Sequence, residues 1–330
     1  MVRAIKPKGG QRWENRFQYT ALATNADEAE WQAVLNGIAH VSAGTTDEAM
    51  AEAGDEFAPA SAEALLKDDV LQGQEMLQEA RQGSVFELLV ERKKLLGAAY
   101  PFDIDGTSLI YRPAAVPIYE LLLGICKSPS LTQAPYYELP RLFENLSVLA
   151  GRGYVGPQAQ GYRMGWPRPT TMARFKAAIG DLRIKSGDFE SEWQWEPAEH
   201  LPEDPSPKFV KEEGLDVVIW SCWPDGRTGQ LYLLGQCACG EDWLTKTKEL
   251  DLDDFGQWFR LPRVRPVRSF FTPRYAVKSI LNDMTFKAGL VFDRVRMVSA
   301  LSAPHVANDV NLLSASIQTC LGIAKQPLAD

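Results

Sequence analysis

Two polar side chains lie at the ends of neighbouring apolar runs, where their oxygens could hold a metal ion. Asp216 lies in the run 215–220, whose β-branched residues are typical of a buried strand. Gln236 lies in a second apolar run, 230–239, which follows a turn rich in Gly, Pro and Asp. If the two runs pair as a hairpin, the carboxylate and amide oxygens converge, and such oxygens are ligands that Mg²⁺ and Mn²⁺ accept.

Two lysines follow the second run on a predicted helix over residues 241–250. Lys246 lies about one turn into this helix, and Lys248 lies two residues further along. A lysine has a long, flexible stem, so either ammonium could reach the end of the hairpin, with Lys246 as the first choice. A metal ion beside an ammonium group can activate water and stabilise the charge that develops during phosphodiester hydrolysis.

A further acidic group is expected from an upstream helix. Residues 136–150 carry the apolar stripe of an amphipathic helix, and Glu144 lies at an angle to that stripe. Glu120, on a predicted helix over residues 116–126, is the alternative. Either carboxylate could complete the shell of ligands around the metal ion.

These residues together resemble the active site of the PD-(D/E)xK superfamily of restriction-endonuclease-like nucleases. In that family an Asp begins one strand, a metal ligand and a Lys two residues later lie on the next strand, and a Glu comes from a helix. Residues 214–249 are similar to this hairpin and its following helix, with Asp216 and Gln236 as the ligands. Ala238 occupies the position of the family's lysine, so the resemblance implies that Lys246 has taken over its role.

The resemblance implies a Mg²⁺- or Mn²⁺-dependent DNA endonuclease, an effector of prokaryotic restriction or anti-phage defence. Asp216, Gln236 and Glu144 would hold the metal ion, and Lys246 would position the attacking water. RNA stays open as a second substrate. The expected protein partner is another component of a defence complex or a second copy of the chain, and no membrane partner is expected.

Other interpretations of the same residues stay open. The missing lysine also fits a nuclease fold that has lost catalysis and serves as a DNA-binding or structural subunit of a larger complex. The direction of Lys246 distinguishes the two, because catalysis requires its ammonium in the cleft of Asp216 and Gln236. Asp216 could instead cap a neighbouring backbone group, Gln236 could be a satisfied edge residue, and the lysines could form a solvated helix face.

Basic residues outside the hairpin are candidates for contacts with phosphate groups. In residues 26–90 acidic residues far outnumber basic ones, whereas residues 260–296 contain nine basic residues and two acidic ones. An extended basic segment can bind phosphates without reading sequence, and an aromatic loop can stack unpaired bases. A solvated basic surface is the alternative. The candidates are Arg163 and Arg168 in an aromatic loop, Lys248, and Arg263, Arg265 and Arg268.

The composition excludes several other classes of protein. The chain is 45% hydrophobic and 24% charged with a net charge of −8, which is typical of a globular protein. It has neither a long apolar run nor a signal-like N-terminus, and its five scattered cysteines indicate free thiols, so we expect a cytoplasmic location. The sequence lacks the motifs of nucleotide-binding proteins and of serine hydrolases. Its three histidines are far apart, which argues against an enzyme that uses a Ser-His-Asp or Cys-His site. Cys237 and Cys239 are expected to be core or cleft-wall residues.

The elements that must position these residues predict an α/β (mixed α+β) fold with a restriction-endonuclease-like core. We expect an extended arm over residues 1–25, a helical N-terminal domain over 26–113 and a nuclease-like domain over 114–330. For the N-terminal domain we predict amphipathic helices over 26–39, 61–81 and 84–96, and a short hairpin or an extended crossing over 101–113. Besides the elements above, the core is predicted to contain loops at 151–169 and 185–207, helices at 170–182 and 305–324, and a strand at 290–301.

Overall fold

The computed structural model describes residues 9–41, 83–187, 192–210, 213–225 and 227–328, with the backbone alone for residues 9–20. The chain forms two compact units. The first consists of residues 1–115 with 276–280, and the second of 116–275 with 281–330. The helix predicted over 61–81 lies outside the described residues.

The first unit contains helices and a small sheet. Helix α1 (Gly9–Asn36) leads into strand β1, and helix α2 (residues 83–96) precedes a hairpin. The strands are β1 (Ile38–His40), β2 (Phe102–Asp105) and β3 (Ser108–Tyr111), in the antiparallel order β1-β3-β2. The hairpin predicted over 101–113 is therefore confirmed, and β1, whose first residues fall within the helix predicted over 26–39, adds a third strand to it.

The extended arm predicted over residues 1–25 is wrong from Gly9 onward, because these residues belong to α1. Their lack of apolar periodicity suggested irregular structure. Once the segment after residue 26 is helical, however, each added residue costs little, since extending a helix is far easier than nucleating one. The Gln, Glu, Arg and Ala residues of this stretch also have good helix propensity.

Several charges of the first unit lie in its interior. Arg92 on α2 is fully buried, and its Nη1 lies 2.7 Å from Glu30 Oε2 and 2.8 Å from Asp27 Oδ1. The Tyr100 hydroxyl donates a hydrogen bond of 2.6 Å to the other oxygen of Glu30. Acidic residues of the N-terminal segment thus include internal structural partners as well as surface charges.

The second unit is built on a mixed five-stranded sheet in the order β10-β9-β7-β6-β4. Strands β4, β6 and β7 are antiparallel, whereas β9 runs parallel to both β7 and β10. A separate two-stranded sheet pairs β5 with β8. The strands are β4 (Ala159–Arg163), β5 (Gln194–Trp195), β6 (Val217–Ser221), β7 (Leu231–Cys237), β8 (Phe259–Arg260), β9 (Val267–Phe271) and β10 (Leu290–Phe292).

Helices surround this sheet, and within the described ranges none has the length and apolar content to cross a lipid bilayer. The α-helices are α3 (Ile118–Lys127), α4 (Glu138–Val155), α5 (Phe175–Ser186), α6 (Leu252–Phe255), α7 (Lys278–Ala288), α8 (Arg294–Leu301), α9 (Ala307–Leu312) and α10 (Ser314–Ala324). Short 3₁₀ helices cover Gly97–Ala99 in the first unit, and Thr170–Met172, Glu241–Lys248 and Pro304–Val306 in the second.

The central hairpin is buried on both faces, which explains its nearly continuous apolar sequence. Helix α4 packs against β4, β6 and β7 on one face. On the other face, Val218 and Trp220 of β6 join a cluster that includes Phe175 of α5, Trp193 and Trp258. The strands and the upstream helix predicted around residues 215–239 and 136–150 are therefore confirmed.

Other predicted elements differ from the structure. The strand predicted over 290–301 ends at Phe292, because Asp293 caps α8 by accepting a hydrogen bond from the backbone of Arg296. The loop predicted over 151–169 contains the end of α4 and all of β4. The helix predicted over 241–250 has 3₁₀ geometry, and the closing helix over 305–324 is divided into short helices.

Candidate functional site

Asp216 lies directly before β6 and is fixed to the neighbouring strand. Its Oδ2 accepts a hydrogen bond of 2.7 Å from the backbone N–H of Cys237. Its own N–H donates to the carbonyl of Gly235 at 2.9 Å, and its carbonyl accepts from Met164 at 2.7 Å and Gly165 at 3.0 Å. The alternative prediction that Asp216 caps a neighbouring backbone group is therefore confirmed.

Gln236 lies on the opposite face of β7 from the Cys237 thiol, whose pKa is raised by burial and in part by the charge of Asp216. Side chains of a strand alternate between faces, so Gly235 and Cys237 share one face and Gln236 points to the other. A Cβ added at Gly235 would lie 2.6 Å from Val217 Cγ2, on the face covered by α4. Gln236 is 3% exposed, and its Nε2 donates to the carboxylate of Glu249. The Gln236 amide is thus engaged by Glu249, whereas the Asp216 carboxylate is engaged by the backbone of Cys237.

Glu144 on α4 lies close to Asp216. Its Oε2 would be 2.3 Å from a Cβ added at Gly165, the residue whose N–H donates to the carbonyl of Asp216. The same oxygen lies 2.6 Å from Arg163 Nε in an ion pair whose side chains are 13% and 21% exposed. The structure therefore brings Glu144 and Asp216 together, with Arg163 as the counter-ion of Glu144.

Two thiols share this region with the carboxylates. Burial raises the pKa of Cys237 well above its usual range, and the charges of Asp216 and Glu144 raise it further. Burial also raises the pKa of Cys239, with smaller effects in the same direction from Cys126, Glu144 and Asp216. Both thiols are therefore protonated at neutral pH. We call Glu144, Asp216, Cys237 and Cys239 the acidic cleft.

The lysines predicted to complete the site are engaged or exposed elsewhere. Lys246 Nζ lies 3.9 Å from the carboxylate of Asp242, one turn earlier in its own 3₁₀ helix. Among the described residues, Asp242 is the carboxylate that forms an ion pair with the Lys246 ammonium. Lys248 is exposed. Neither lysine is brought to the Asp216 carboxylate.

Arg163, at the end of β4, and Arg168, in the aromatic loop that follows, both have partners within this part of the chain. Arg168 is 8% exposed and donates to the carbonyls of Met164, Met172 and Ala173. Arg163 donates to the carbonyl of Pro167 at 3.1 Å in addition to its pairing with Glu144. These guanidinium groups stabilise the loop, so they are poorly placed for the phosphate contacts predicted for them.

The basic segment before β9 is more accessible. Arg263 and Arg265 are exposed, and Arg265 lies 3.3 Å from Asp253. Arg268 is half-buried and donates to the carbonyl of Leu250 at 3.4 Å. The Arg263 side chain has no ion pair with a described residue. Of the predicted phosphate-binding arginines, Arg263 is therefore the most available.

Sequence reasoning missed one cation beside the acidic cleft. Arg274 follows β9, the parallel neighbour of β7, in which Phe271 pairs with Cys237. Arg274 is half-buried, and its charge lowers the pKa of Cys239 against the stronger effect of burial. The strand β9 that positions Arg274 was not predicted, so its proximity to the hairpin had no signal in the sequence.

The donors of the acidic cleft do not fit the metal ion implied by the resemblance. Asp216 already accepts the Cys237 N–H with one oxygen, and Glu144 is paired with Arg163. The neighbouring groups are protonated thiols, which are poor ligands for a hard cation such as Mg²⁺. Within the described ranges, no three His, Cys, Asp or Glu side chains come together to hold a metal ion.

The second unit thus presents a mixed α/β arrangement with an acidic cleft on one face of its sheet and a basic segment before β9. The chemistry available at each of these two places follows from its side chains and their contacts. Comparisons of the chain with protein-family models, with curated proteins and with solved structures found no match.

Proposed function

We propose that this chain is a DNA-binding subunit with a nuclease-like fold that does not cleave DNA. The observation that carries the proposal is that the two expected ligands are engaged by different groups, Gln236 by Glu249 and the Asp216 carboxylate by the Cys237 N–H. Metal-assisted hydrolysis needs both ligands on one ion, because a shared ion must contact the same phosphate and water. A hairpin in which other groups engage both residues has the pattern of that family without free ligands for a metal ion.

The other hydrolytic groups support the same conclusion. Glu144 has an internal counter-ion in Arg163, and Lys246 has one in Asp242. Freeing Glu144 would leave a largely buried Arg163 without its carboxylate, and breaking a buried pair in this way costs about 3–5 kcal/mol. The acidic cleft is therefore better suited to stabilise the fold than to bind Mg²⁺ or Mn²⁺.

DNA binding is supported by the exposed residues before β9. Arg263 and Arg265 lie in an accessible segment within a chain of net charge −8. Local positive charge can bind a polyanion despite a negative total, because the potential at a surface depends on nearby charges. Contacts of this kind hold the phosphate backbone without selecting a base sequence. Catalysis, if the complex has it, would come from a partner protein.

The proposal is tested by measuring binding and cleavage with the same purified chain. Fluorescence anisotropy with labelled duplex and single-stranded DNA is expected to show binding that weakens as salt increases. Supercoiled plasmid and RNA incubated with Mg²⁺, Mn²⁺ or EDTA are expected to stay intact. Metal-dependent nicking that is lost in the Asp216→Asn variant would establish the endonuclease instead. Absence of nucleic-acid binding at low salt would overturn the proposal.

Matched arginine variants locate the binding surface. Arg263→Ala is expected to weaken binding, because this guanidinium is exposed and has no ion pair with a described residue. Arg174 is also exposed, but it lies outside the segment before β9 and pairs with Asp204 at 3.0 Å. Arg174→Ala therefore serves as the control. Equal loss in both variants would mean that binding reflects total charge alone.

A further inference from the structure

A pocket of about 490 Å³ lies at the far end of the central hairpin from the acidic cleft. Asp216 precedes β6 and Ser221 ends it, which separates the two places by about 17 Å along an extended strand. The pocket is lined by the end of β6, the start of β7, the end of α4 and the segment before β9, and every lining residue is uncharged. Trp223, Leu231 and Val264 are among its apolar lining residues.

These apolar side chains are unusually accessible. Trp223 is 65% exposed, Leu231 42% and Val264 44%. Single exposed apolar residues are common on proteins, but here three of them line the same concave surface. The exposed indole is the largest flat surface among them.

The backbone of Trp223 is held by a hydrogen bond to a buried side chain. The Trp223 N–H donates a hydrogen bond of 2.8 Å to Oε1 of Gln230, and Nε2 of Gln230 donates to the carbonyl of Arg227 at 2.6 Å. Gln230 is fully buried, so it ties both sides of the turn to the interior. The backbone of Trp223 is therefore held by the buried side chain of Gln230, which lowers the ordering cost of binding a ligand.

A buried carboxylate connects the two rims of the pocket. Glu192 is fully buried, and its Oε1 accepts hydrogen bonds from the N–H of Gly229 at 3.5 Å and of Arg263 at 3.3 Å. Gly229 lines the pocket on the hairpin side, and Arg263 precedes Val264 on the other. This contact keeps the Arg263 backbone beside the pocket.

Arginine and aspartate side chains adjoin the lining residues of the pocket in the sequence. Arg263 is exposed and has no ion pair with a described residue, while the exposed Arg227 is paired with Asp225 at 2.6 Å. An uncharged aromatic pocket with a cation beside it suits a ligand that has a flat ring and an adjacent anion. A nucleotide has both, whereas an apolar peptide would leave the cation unused.

We propose that this pocket, here called the Trp223 pocket, binds an unpaired base of single-stranded DNA. The base stacks on the indole of Trp223, and the neighbouring phosphate lies at Arg263. The inference rests on the proposed function and specifies its ligand as a strand with accessible bases. A duplex cannot use the pocket in this way, because its bases are already stacked and paired.

The test compares a labelled oligothymidylate with the same strand carrying abasic residues and with a duplex of equal length. Trp223→Ala is expected to weaken binding of the oligothymidylate about tenfold, the effect of losing one stacked base. It should leave binding of the abasic strand and the duplex unchanged. Trp223→Phe should retain most of the affinity. Phe286 is 90% exposed, and Phe286→Ala controls for loss of an exposed ring.

The outcomes separate this inference from the proposed function. Equal affinity of wild type and Trp223→Ala for oligothymidylate would overturn the inference alone, as would equal wild-type affinity for the normal and abasic strands. Binding of no nucleic acid by wild type would overturn both. Sedimentation of the same variants adds another check, because a self-association abolished by Trp223→Ala would assign the pocket to a second copy of the chain. Circular dichroism confirms that each variant is folded.

Discussion

Replacing Asp216 tests whether its carboxylate stabilises the hairpin. Its Oδ2 accepts the Cys237 N–H at 2.7 Å, where β6 begins opposite the end of β7. Asp216→Ala leaves this N–H, which lies beside a largely buried thiol, without its acceptor. A hydrogen bond to a charged group contributes about 1.5–3 kcal/mol, so we expect a loss of that size in the free energy of unfolding.

Asp216→Asn separates the hydrogen bond from the charge. The amide oxygen can still accept the Cys237 N–H, but as a neutral group, whose hydrogen bond contributes about 0.5–1.5 kcal/mol. Removing the charge also removes repulsion from the neighbouring Glu144. The Asn variant should therefore be clearly more stable than the Ala variant.

Urea denaturation monitored by tryptophan fluorescence measures both losses. Seven of the nine tryptophans lie within residues 116–275, so the signal reports mainly on the second unit. The midpoint should fall while the m-value stays constant, as expected when stability alone changes. Wild-type stability in Asp216→Ala, or identical losses in Ala and Asn, would refute the assigned role of the hydrogen bond.

Three further predictions concern neighbouring groups. Iodoacetamide should react slowly with Cys237 at pH 8, and Asp216→Asn should move the onset of reaction to lower pH, because removing a nearby negative charge lowers the pKa of the thiol; an unchanged pH profile would contradict this. Arg263→Ala should reduce the slope of log K against log salt for duplex DNA by about 0.9, one phosphate contact, in anisotropy titrations at several salt concentrations. Gln236→Glu should lower the free energy of unfolding measured in urea by about 1–3 kcal/mol, because it places a buried carboxylate against Glu249. Adding Glu249→Gln should restore stability in the double variant. If the double variant is no more stable than Gln236→Glu alone, Gln236 does not face Glu249.

The hairpin could be predicted because its sequence leaves few alternatives. The β-branched run from Val217 to Ile219 and the turn after it favour two adjacent strands, and their burial on both faces explains the continuous apolar sequence. The amphipathic pattern of α4 was equally clear. Strand β9 could not be recognised, because Val267–Phe271 follows a stretch of alternating Arg, Pro and Val that is also typical of an irregular basic segment.

The face of each residue on β7 could not be predicted to the same accuracy. Side chains alternate at every residue, so an error of one position transfers a residue to the opposite face of the sheet. Gln236 has the chemistry of a metal ligand, but the Asp216 carboxylate meets Cys237 instead. The backbone pairing of the two strands is irregular at Asp216, whose N–H donates to the carbonyl of Gly235. This detail depends on the loop after β4 rather than on local propensity.

Arginine roles were also beyond the sequence. Arg168 and Arg263 both lie in segments rich in Pro and basic residues, and both were expected to bind phosphate. Arg168 is buried because three carbonyls of the loop after β4 accept its hydrogen bonds, whereas Arg263 is exposed because its backbone is the part held by Glu192. Charge alone therefore does not distinguish a buried arginine whose hydrogen bonds are satisfied from an arginine that binds a ligand.

The acidic cleft allows a gain-of-function test of the fold itself. If the fold is nuclease-like, Cys237→Glu with Cys239→Lys places a carboxylate and an ammonium on the face of Asp216, at the family's spacing. We expect this double variant to bind Mn²⁺ in calorimetry and to nick plasmid DNA, with Asp216→Asn abolishing both effects.

The matched control introduces the same two side chains one residue earlier. Gln236→Glu with Ala238→Lys introduces the E-x-K spacing of PD-(D/E)xK nucleases but directs it to the opposite face of β7, so it should neither bind Mn²⁺ nor nick DNA. Activity in this control would show that Gln236, and not Cys237, shares the cleft with Asp216. A folded Cys237→Glu, Cys239→Lys variant that binds no Mn²⁺ would refute the nuclease-like geometry, because all of its required groups would then be present without forming a site. The comparison thus separates a fold that has lost its catalytic donors from one that only shares their pattern in the sequence.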